Sequence, residues 1–297
     1  MNENAGSTDR VDAFLRMVGD RDGVTCRISE REGDAVEMAV EAAGEGFDVV
    51  VAGGGDGTVN EVVNGLLRCD DRPTLGVLPF GTGNDFARML DIPMDDPGAA
   101  LDLFAEGERR QMDAFRVRSP AVEAYGINAA SGGFSGEIGE AMTPEMKAVW
   151  GPLAYLIGAA SMLPDLRDYD TYITLDDQTA RQVTALNIVV ANGRTVGGGK
   201  RVASFANPED GLLDVVVIRT GSAAELANVA TRLVAGNLAE SDLVDTFRAS
   251  RVRVQSQPGM WFNVDGELVT NEPVEIEVLP GALQVVVGKG YRPVVEP

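Results

Sequence analysis

The chain has 297 residues, 44% of them hydrophobic, enough for one large domain or two of ordinary size that each bury a core, and disorder over the whole length is excluded. A formal net charge of −21 with no basic stretch to offset it excludes sequence-independent binding to a phosphate backbone, so nucleic acid is not an expected partner. The absence of histidine removes Ser/His/Asp triads, ordinary zinc sites and imidazole bases together, leaving proton transfer to carboxylates, Tyr or Lys.

No apolar run of about 18 residues occurs, and the opening MNENAGSTDRVDAF has neither a basic nor an apolar leader, so a cytoplasmic protein without a membrane span is expected. Cys26 and Cys69 lack any paired metal-ligand spacing and are expected as buried, reduced thiols. Lys occurs only at Lys147, Lys200 and Lys289, against 46 acidic residues. That imbalance suits a halophilic protein, since at molar salt a Debye length of about 3 Å screens carboxylate repulsion. An ordinary acidic mesophilic protein is the alternative.

In chain order, Val11 to Val18 and Gly33 to Ala43 carry apolar residues at helical spacing. Phe47 to Ala52 (FDVVVA) is short, β-branched and bounded by glycines, which predicts a strand buried on both faces, as in a parallel sheet. Val59 to Leu67 is helical in period and Thr74 to Leu78 (TLGVL) is another buried strand, completing a βαβ unit. Gly83 to Leu90 is expected as a helix, and Pro93 to Phe104 as a loop leading into the next one.

From about Gln111 the texture becomes strand-like. Ala185 to Ala191, Leu213 to Ile218, Val252 to Gln255, Val274 to Val278 and Leu283 to Val287 are expected as strands of a β-sandwich, with helices at Leu153 to Leu163 and Ser222 to Ala235. The apolar Trp150 to Leu163 is too short to span a bilayer; it is a core helix or, by a slight preference, a wall of an acyl-chain pocket.

Immediately after the first strand comes GGGDGTVNEV, Gly53 to Val62, where the lack of side chains lets backbone amides approach a phosphate and the following helix points its N-terminus at that anion. It matches neither the Walker lysine pattern nor the dinucleotide fingerprint. A second turn, Pro79-Phe80-Gly81-Thr82-Gly83-Asn84-Asp85-Phe86-Ala87-Arg88, again lies between strand and helix. Two such turns at adjacent strand ends suggest one nucleotide site at the carboxyl edge of a parallel sheet.

GGGDGTVNEVVNGL and PFGTGNDFAR resemble the two nucleotide-binding signatures of the diacylglycerol kinase catalytic family, which includes bacterial lipid kinases and sphingosine kinases. Asn192 to Val217 (NGRTVGGGKRVASFANPEDGLLDVVV) and Phe262 to Glu267 (FNVDGE) extend the resemblance, in the expected order, over nearly the whole chain. The likeness implies a Rossmann-like nucleotide-binding α/β domain (1–110, with a tail at 288–297 that packs on it) and a C-terminal β-sandwich lipid-binding domain (111–287), the active site lying in the cleft between them. Carried over by position, Ser29, Gly54, Gly55, Asp56, Gly57, Thr58, Asn60, Glu61, Gly81, Thr82, Gly83 and Asn84 would bind ATP. Asp265 would be the acceptor-activating base with Glu267 beside it, Asp56 and Glu267 would hold catalytic Mg2+, and Asp210 with main-chain oxygens near Asn207 and Leu212 would hold a structural magnesium.

This sequence departs from the family pattern at two places. Family members open on a strand and an Asn-Pro turn, whereas here Met1 to Gly6 comes directly, so the first strand is expected to be missing or to lie upstream; and Ser204 stands where a proline is common.

The expected function is transfer of the γ-phosphate of ATP to a lipid alcohol such as diacylglycerol, with peripheral contact at a membrane surface and a possible homodimer. The DGE turn at Asp265 and the Asp210-Gly211 pair are also ordinary turn signals, and Gly197 to Gly199 fits a flexible loop as well as a substrate role. A NAD kinase-like enzyme shares the Gly-Gly-Asp-Gly-Thr loop, although GTGNDFAR and the late DGE argue against it. A nucleotide-binding regulator without catalysis is the second alternative.

Overall fold

The computed structural model describes residues 14–19, 23–134 and 167–294. The expected helix over Leu153 to Leu163 and the opening Met1 to Gly6 lie outside the described residues. The chain divides into two compact units: one ends at Met112 and is completed by Gly281–Arg292, and the other spans Asp113–Pro280.

In the first unit, helix α1 (Asp34–Glu45) precedes strand β1 (Val49–Gly54), helix α2 (Asp56–Leu66) and strand β2 (Thr74–Pro79), then the short helix α3 (Asp85–Met89) and helix α4 (Pro97–Glu106). β1 and β2 pair in parallel from Val49↔Thr74 to Gly54↔Pro79, so both glycine turns leave the sheet at its carboxyl edge. β2 is buried at every position, as its continuous apolar run predicts. β1 is not buried on both faces as expected: Val49, Val50 and Val51 are half-buried, because β2 is its only strand partner among the described residues. The expected thiol burial also fails in part. Cys26 is exposed, lying in the segment before α1, and Cys69 is half-buried beyond α2; both are free.

Strand β3 (Arg109–Arg118) leads into the second unit, which continues with β4 (Glu123–Gly126), β5 (Ala129–Gly133), β6 (Tyr169–Leu175), β7 (Arg181–Ala191), the hairpin β8 (Thr195–Val196) and β9 (Lys200–Arg201), and β10 (Leu213–Arg219). Helix α5 (Ala223–Ala235) follows, then β11 (Val244–Ala249), β12 (Arg251–Gln257), β13 (Phe262–Val264), β14 (Glu267–Thr270) and β15 (Val274–Val286). The central strands are antiparallel: β7 pairs with β5, β6 and β10. Side chains alternate between faces along a strand, and both faces of β7 and β10 are covered. Ile188, Val190, Val215 and Val217 join a core with Tyr169, Phe262 and Ile276. Val189, Ala191, Val216 and Ile218 point the other way, onto Val229 and Leu233 of α5. Two-sided burial is why these two strands read as unbroken apolar runs.

β6 alternates buried Tyr169, Thr171, Ile173 and Leu175 with polar or exposed neighbours, a period-2 pattern easily passed over when apolar runs are sought. The expected break between Val274–Val278 and Leu283–Val287 is absent; Pro280 and Gly281 sit within one 13-residue strand, at the point where the chain passes from one unit to the other. α5 starts with a capping box, Ser222 Oγ accepting from Glu225 N–H while the Glu225 carboxylate accepts from Ser222 N–H.

Acidic side chains on the wet sheet face are paired with arginine. Arg253 and Glu275 stand opposite in register on β12 and β15, 2.5 Å apart, and Arg118 on β3 reaches the same carboxylate at 3.0 Å. The Arg253 hydrogen bond outweighs partial burial and holds the Glu275 carboxyl below its ordinary value. A depressed folded-state value contributes stability at neutral pH that is lost as pH falls through it. Glu275→Gln is therefore expected to lower the urea midpoint modestly at pH 7, with the gap to wild type closing as the pH drops through the carboxylate range.

Candidate functional site

The two glycine turns of the first unit meet backbone to backbone. Phe80 N–H and Gly81 N–H both donate to Gly54 O, at 3.0 and 3.2 Å. A Cβ added to Gly81 would lie 2.4 Å from Gly55 Cα, closer than real Cβ atoms come to backbone, so no other residue fits. Gly55 is extended and Asp56 opens α2, leaving the first amides of that helix at the meeting point of the turns. The second turn is braced by Asn84, whose φ of 51° is left-handed: its Oδ1 accepts from Gly81 N–H at 3.0 Å and its Nδ2 donates to Gly81 O at 2.6 Å. Arg88 closes it by donating to Gly83 O at 3.0 Å.

Asp56 Oδ1 accepts from Phe86 N–H at 3.3 Å, tying the first residue of α2 to the start of α3. Phe86 follows Asp85, a carboxylate only 4% exposed for which the sequence predicts no separate role. Of the remaining expected nucleotide residues, Thr58 and Asn60 are buried in α2, Gly57 is half-buried and Thr82 is exposed at the tip of the second turn. Asn60 accepts from Asn64 Nδ2 at 3.0 Å, and Glu61 accepts from Ala35 N–H at 3.2 Å near the start of α1, so both have framework roles. Ser29 is 5% exposed, a few residues before α1.

In the second unit Asp265 and Gly266 form the two-residue turn between β13 and β14, with φ of 49° and 96°. Two consecutive left-handed residues are what a primed hairpin turn requires, so Asp-Gly is a turn by geometry. The Asp265 carboxylate is also an anchor. Oδ2 accepts from Ile127 N–H at 2.8 Å, and Oδ1 from Asn128 and Ala129 N–H at 3.0 and 2.8 Å. Those bonds use most of the roughly four acceptor positions of a carboxylate. Glu267, two residues on, is exposed.

Buried polar side chains continue this frame, and the sequence reading missed them as individuals. Asn192, 1% exposed, donates from Nδ2 to Asp113 O and Ile127 O at 2.8 and 2.7 Å. Asn128 donates to Thr195 O at 2.9 Å. Asp113, 2% exposed, accepts from Gly211 N–H at 2.7 Å. Their signal in the sequence is weak, because a single Asn or Asp at a strand end looks the same whether it caps a turn or knits strands together.

The chemistry of the donor set separates the two expected magnesium sites. Mg2+ favours hard oxygens and is held by one or two carboxylates together with substrate phosphates. Asp56, half-buried at the first glycine turn, fits that description. The set expected at Asp210 and the main-chain oxygens near Asn207 and Leu212 is more crowded, because both oxygens of its carboxylate are already engaged. Asp210 Oδ1 accepts from Leu212 N–H at 3.0 Å and Oδ2 accepts from the Arg248 guanidinium, while Asn207 Oδ1 accepts from Glu209 N–H at 3.2 Å. The carboxylate expected to hold a structural magnesium is thus already paired with groups of the chain itself.

A unit with two glycine turns at parallel strand ends, joined in one chain to a largely antiparallel β unit, defines a two-unit α/β and β-sandwich-like protein. Residues 1–117 match the diacylglycerol kinase catalytic domain, and residues 128–287 match the YegS C-terminal NAD kinase beta sandwich-like domain. The chain is 37% identical over 257 residues to a diacylglycerol kinase of Bacillus subtilis, covering 86% of this chain and 83% of the relative. In fold it is similar to the crystal structure of a putative diacylglycerol kinase from Bacillus anthracis, with a TM-score of 0.83, 24% identity and coverage of 99% and 94% of the two chains. A more distant likeness, TM-score 0.53 at 12% identity over 98% and 93% of the chains, is to an NAD kinase from Archaeoglobus fulgidus in complex with ATP. The chain belongs to the diacylglycerol kinase family of lipid kinases.

Gly81→Ala is expected to destabilise the protein by about 1–3 kcal/mol, the usual cost of forcing atoms into a packed site. Gly55→Ala, whose added Cβ would meet Gly81 Cα at 3.3 Å, should cost less. Thermal melts of the two variants check the order, and titration with a non-hydrolysable ATP analogue should show both binding more weakly than wild type.

Proposed function

We propose that this chain is a magnesium-dependent kinase that transfers the γ-phosphate of ATP to a hydroxyl of diacylglycerol or a related lipid alcohol. The observation that carries this reading is the backbone contact between Gly55 and Gly81, which pairs the two glycine turns beside Asp56. The first unit then acts as a Rossmann-like nucleotide-binding domain. Amides at the start of α2 and in the second turn hold phosphate oxygens, with Thr82 offering a hydroxyl from its exposed tip. Magnesium bound at Asp56 would neutralise phosphate charge.

Phosphoryl transfer asks for positioning and charge neutralisation more than covalent chemistry, so a chain without histidine is equipped for it. The acceptor hydroxyl is oriented by the Asp265-Gly266-Glu267 turn of the second unit. Asp265 is held in place by three backbone amides, and Glu267 presents an exposed carboxylate from the same turn. A diacyl acceptor resides in a membrane, so the protein works at that surface as a peripheral enzyme. Among the described residues no helix is long and apolar enough to cross a membrane.

The test is ATP turnover in high potassium chloride with magnesium, comparing a dispersed diacylglycerol with NAD as acceptor. Phosphorylation of the lipid alone supports the proposal, and phosphorylation of NAD alone sinks it. Glu267→Gln, near-isosteric and at an exposed position, is expected to cost no more than about 0.5 kcal/mol of stability. If Glu267 takes the hydroxyl proton, its rate falls about 10²–10⁴-fold, the usual share of a general base; a near-wild-type rate assigns that role to Asp265. Asp265→Asn places an NH2 group or a weaker acceptor against three N–H donors, so it should lose about 1–3 kcal/mol of stability as well as activity.

A further inference from the structure

The loop from Asn207 to Leu212, where the family likeness puts a structural magnesium, is closed by a cation of the chain itself. The register of β10 on β11 sets Arg248 directly opposite Asp214. From there its guanidinium donates to Asp210 Oδ2 through Nη2, while Nε lies 3.6 Å from Asp214 Oδ2. All three side chains are only partly exposed, at 26% for Arg248, 24% for Asp210 and 14% for Asp214. On its other side the same loop grips Asp113: Gly211 N–H donates to the Asp113 carboxylate at 2.7 Å, and Asp113 N–H donates to Pro208 O at 2.6 Å. Asp210 Oδ1 is taken by Leu212 N–H.

A divalent ion at Asp210 would have to displace the guanidinium from Oδ2 and then lie beside it, cation against cation. Arg is suited to the bridging position in a way Lys is not, because its planar fork reaches two carboxylates at once and stays charged at any working pH. Among the described residues no group of three Cys, His, Asp or Glu side chains is arranged to hold a metal.

We propose that Arg248 replaces a structural divalent cation in this chain, its guanidinium bridging Asp210 and Asp214 so that the folding of the second unit does not depend on metal. This inference concerns stability alone and stands or falls independently of the kinase reading.

The experiment is thermal unfolding of nucleotide-free protein in concentrated potassium chloride, with and without EDTA, for wild type, Arg248→Gln and Arg248→Lys. Wild type should melt at the same temperature in both conditions. Arg248→Gln should melt roughly 3–8 °C lower, since it leaves two partly buried carboxylates facing each other, and should recover part of that loss when magnesium or calcium is added at matched ionic strength. Arg248→Lys, retaining the charge but not the fork, should fall between the two and keeps the test readable if the Gln variant does not fold. A wild-type melting temperature that drops on chelation overturns the proposal. So does an Arg248→Gln protein as stable as wild type, or one whose response to divalent ions equals that of wild type.

Discussion

The structure of the first unit depends on one close approach: the Cα atoms of two glycines, one after each of two neighbouring parallel strands, packed where a single methyl group would collide. Parallel pairing of β1 and β2 sends both turns out of the same sheet edge. The shared acceptor at Gly54 O then draws Phe80 and Gly81 in. Everything assigned to phosphate binding follows from that contact, because it brings the start of α2 and the amides of the second turn to one place without side chains between them.

A second theme is the use of carboxylates as anchors for backbone amides. Asp56 takes Phe86, Asp265 takes three amides from 127 to 129, Asp113 takes Gly211, and Asp176 takes Ser250 and Arg251. At Asp176 burial raises the carboxyl, but the Ser250 hydroxyl and the two amides overcome it and leave the net shift downward. Charge-assisted bonds of this kind are shorter and stronger than neutral ones, and each fixes a turn that the hydrophobic core cannot reach. Of the 46 acidic residues, the fold uses several as such anchors, while Glu275 and Glu277 on the sheet face pair with Arg116, Arg118 and Arg253.

The same side-chain type thus serves two ends, and the local frame separates them. Asp265 is anchored by the amides around it while Glu267, on the same hairpin, is presented to solvent. Asp56 stands at the first glycine turn and ties α2 to α3, whereas Asp210 is satisfied by Leu212 and Arg248. Carboxylates carried by motifs of similar appearance therefore end in different chemistry.

Helix and strand order in the first unit was legible in the residues, because the apolar periods of α1 and α2 and the buried run of β2 are local signals. The glycine turns were legible too, because each stands between an apolar strand and a helix; a glycine run alone suits many tight turns. In the second unit, β7 and β10 announced themselves by burial on both faces and the Asp265-Gly266 turn by its composition, while β6 and β11 did not; their pairing is decided by partners distant in the chain. The half-burial of β1, the exposure of Cys26, the passage of one strand through Pro280 and Gly281, and the guanidinium at Asp210 likewise came only from tertiary structure. The reason is the same in each case: sequence specifies what a segment is able to bury or bind, but only the register of distant strands determines which charge, amide or apolar face stands opposite it.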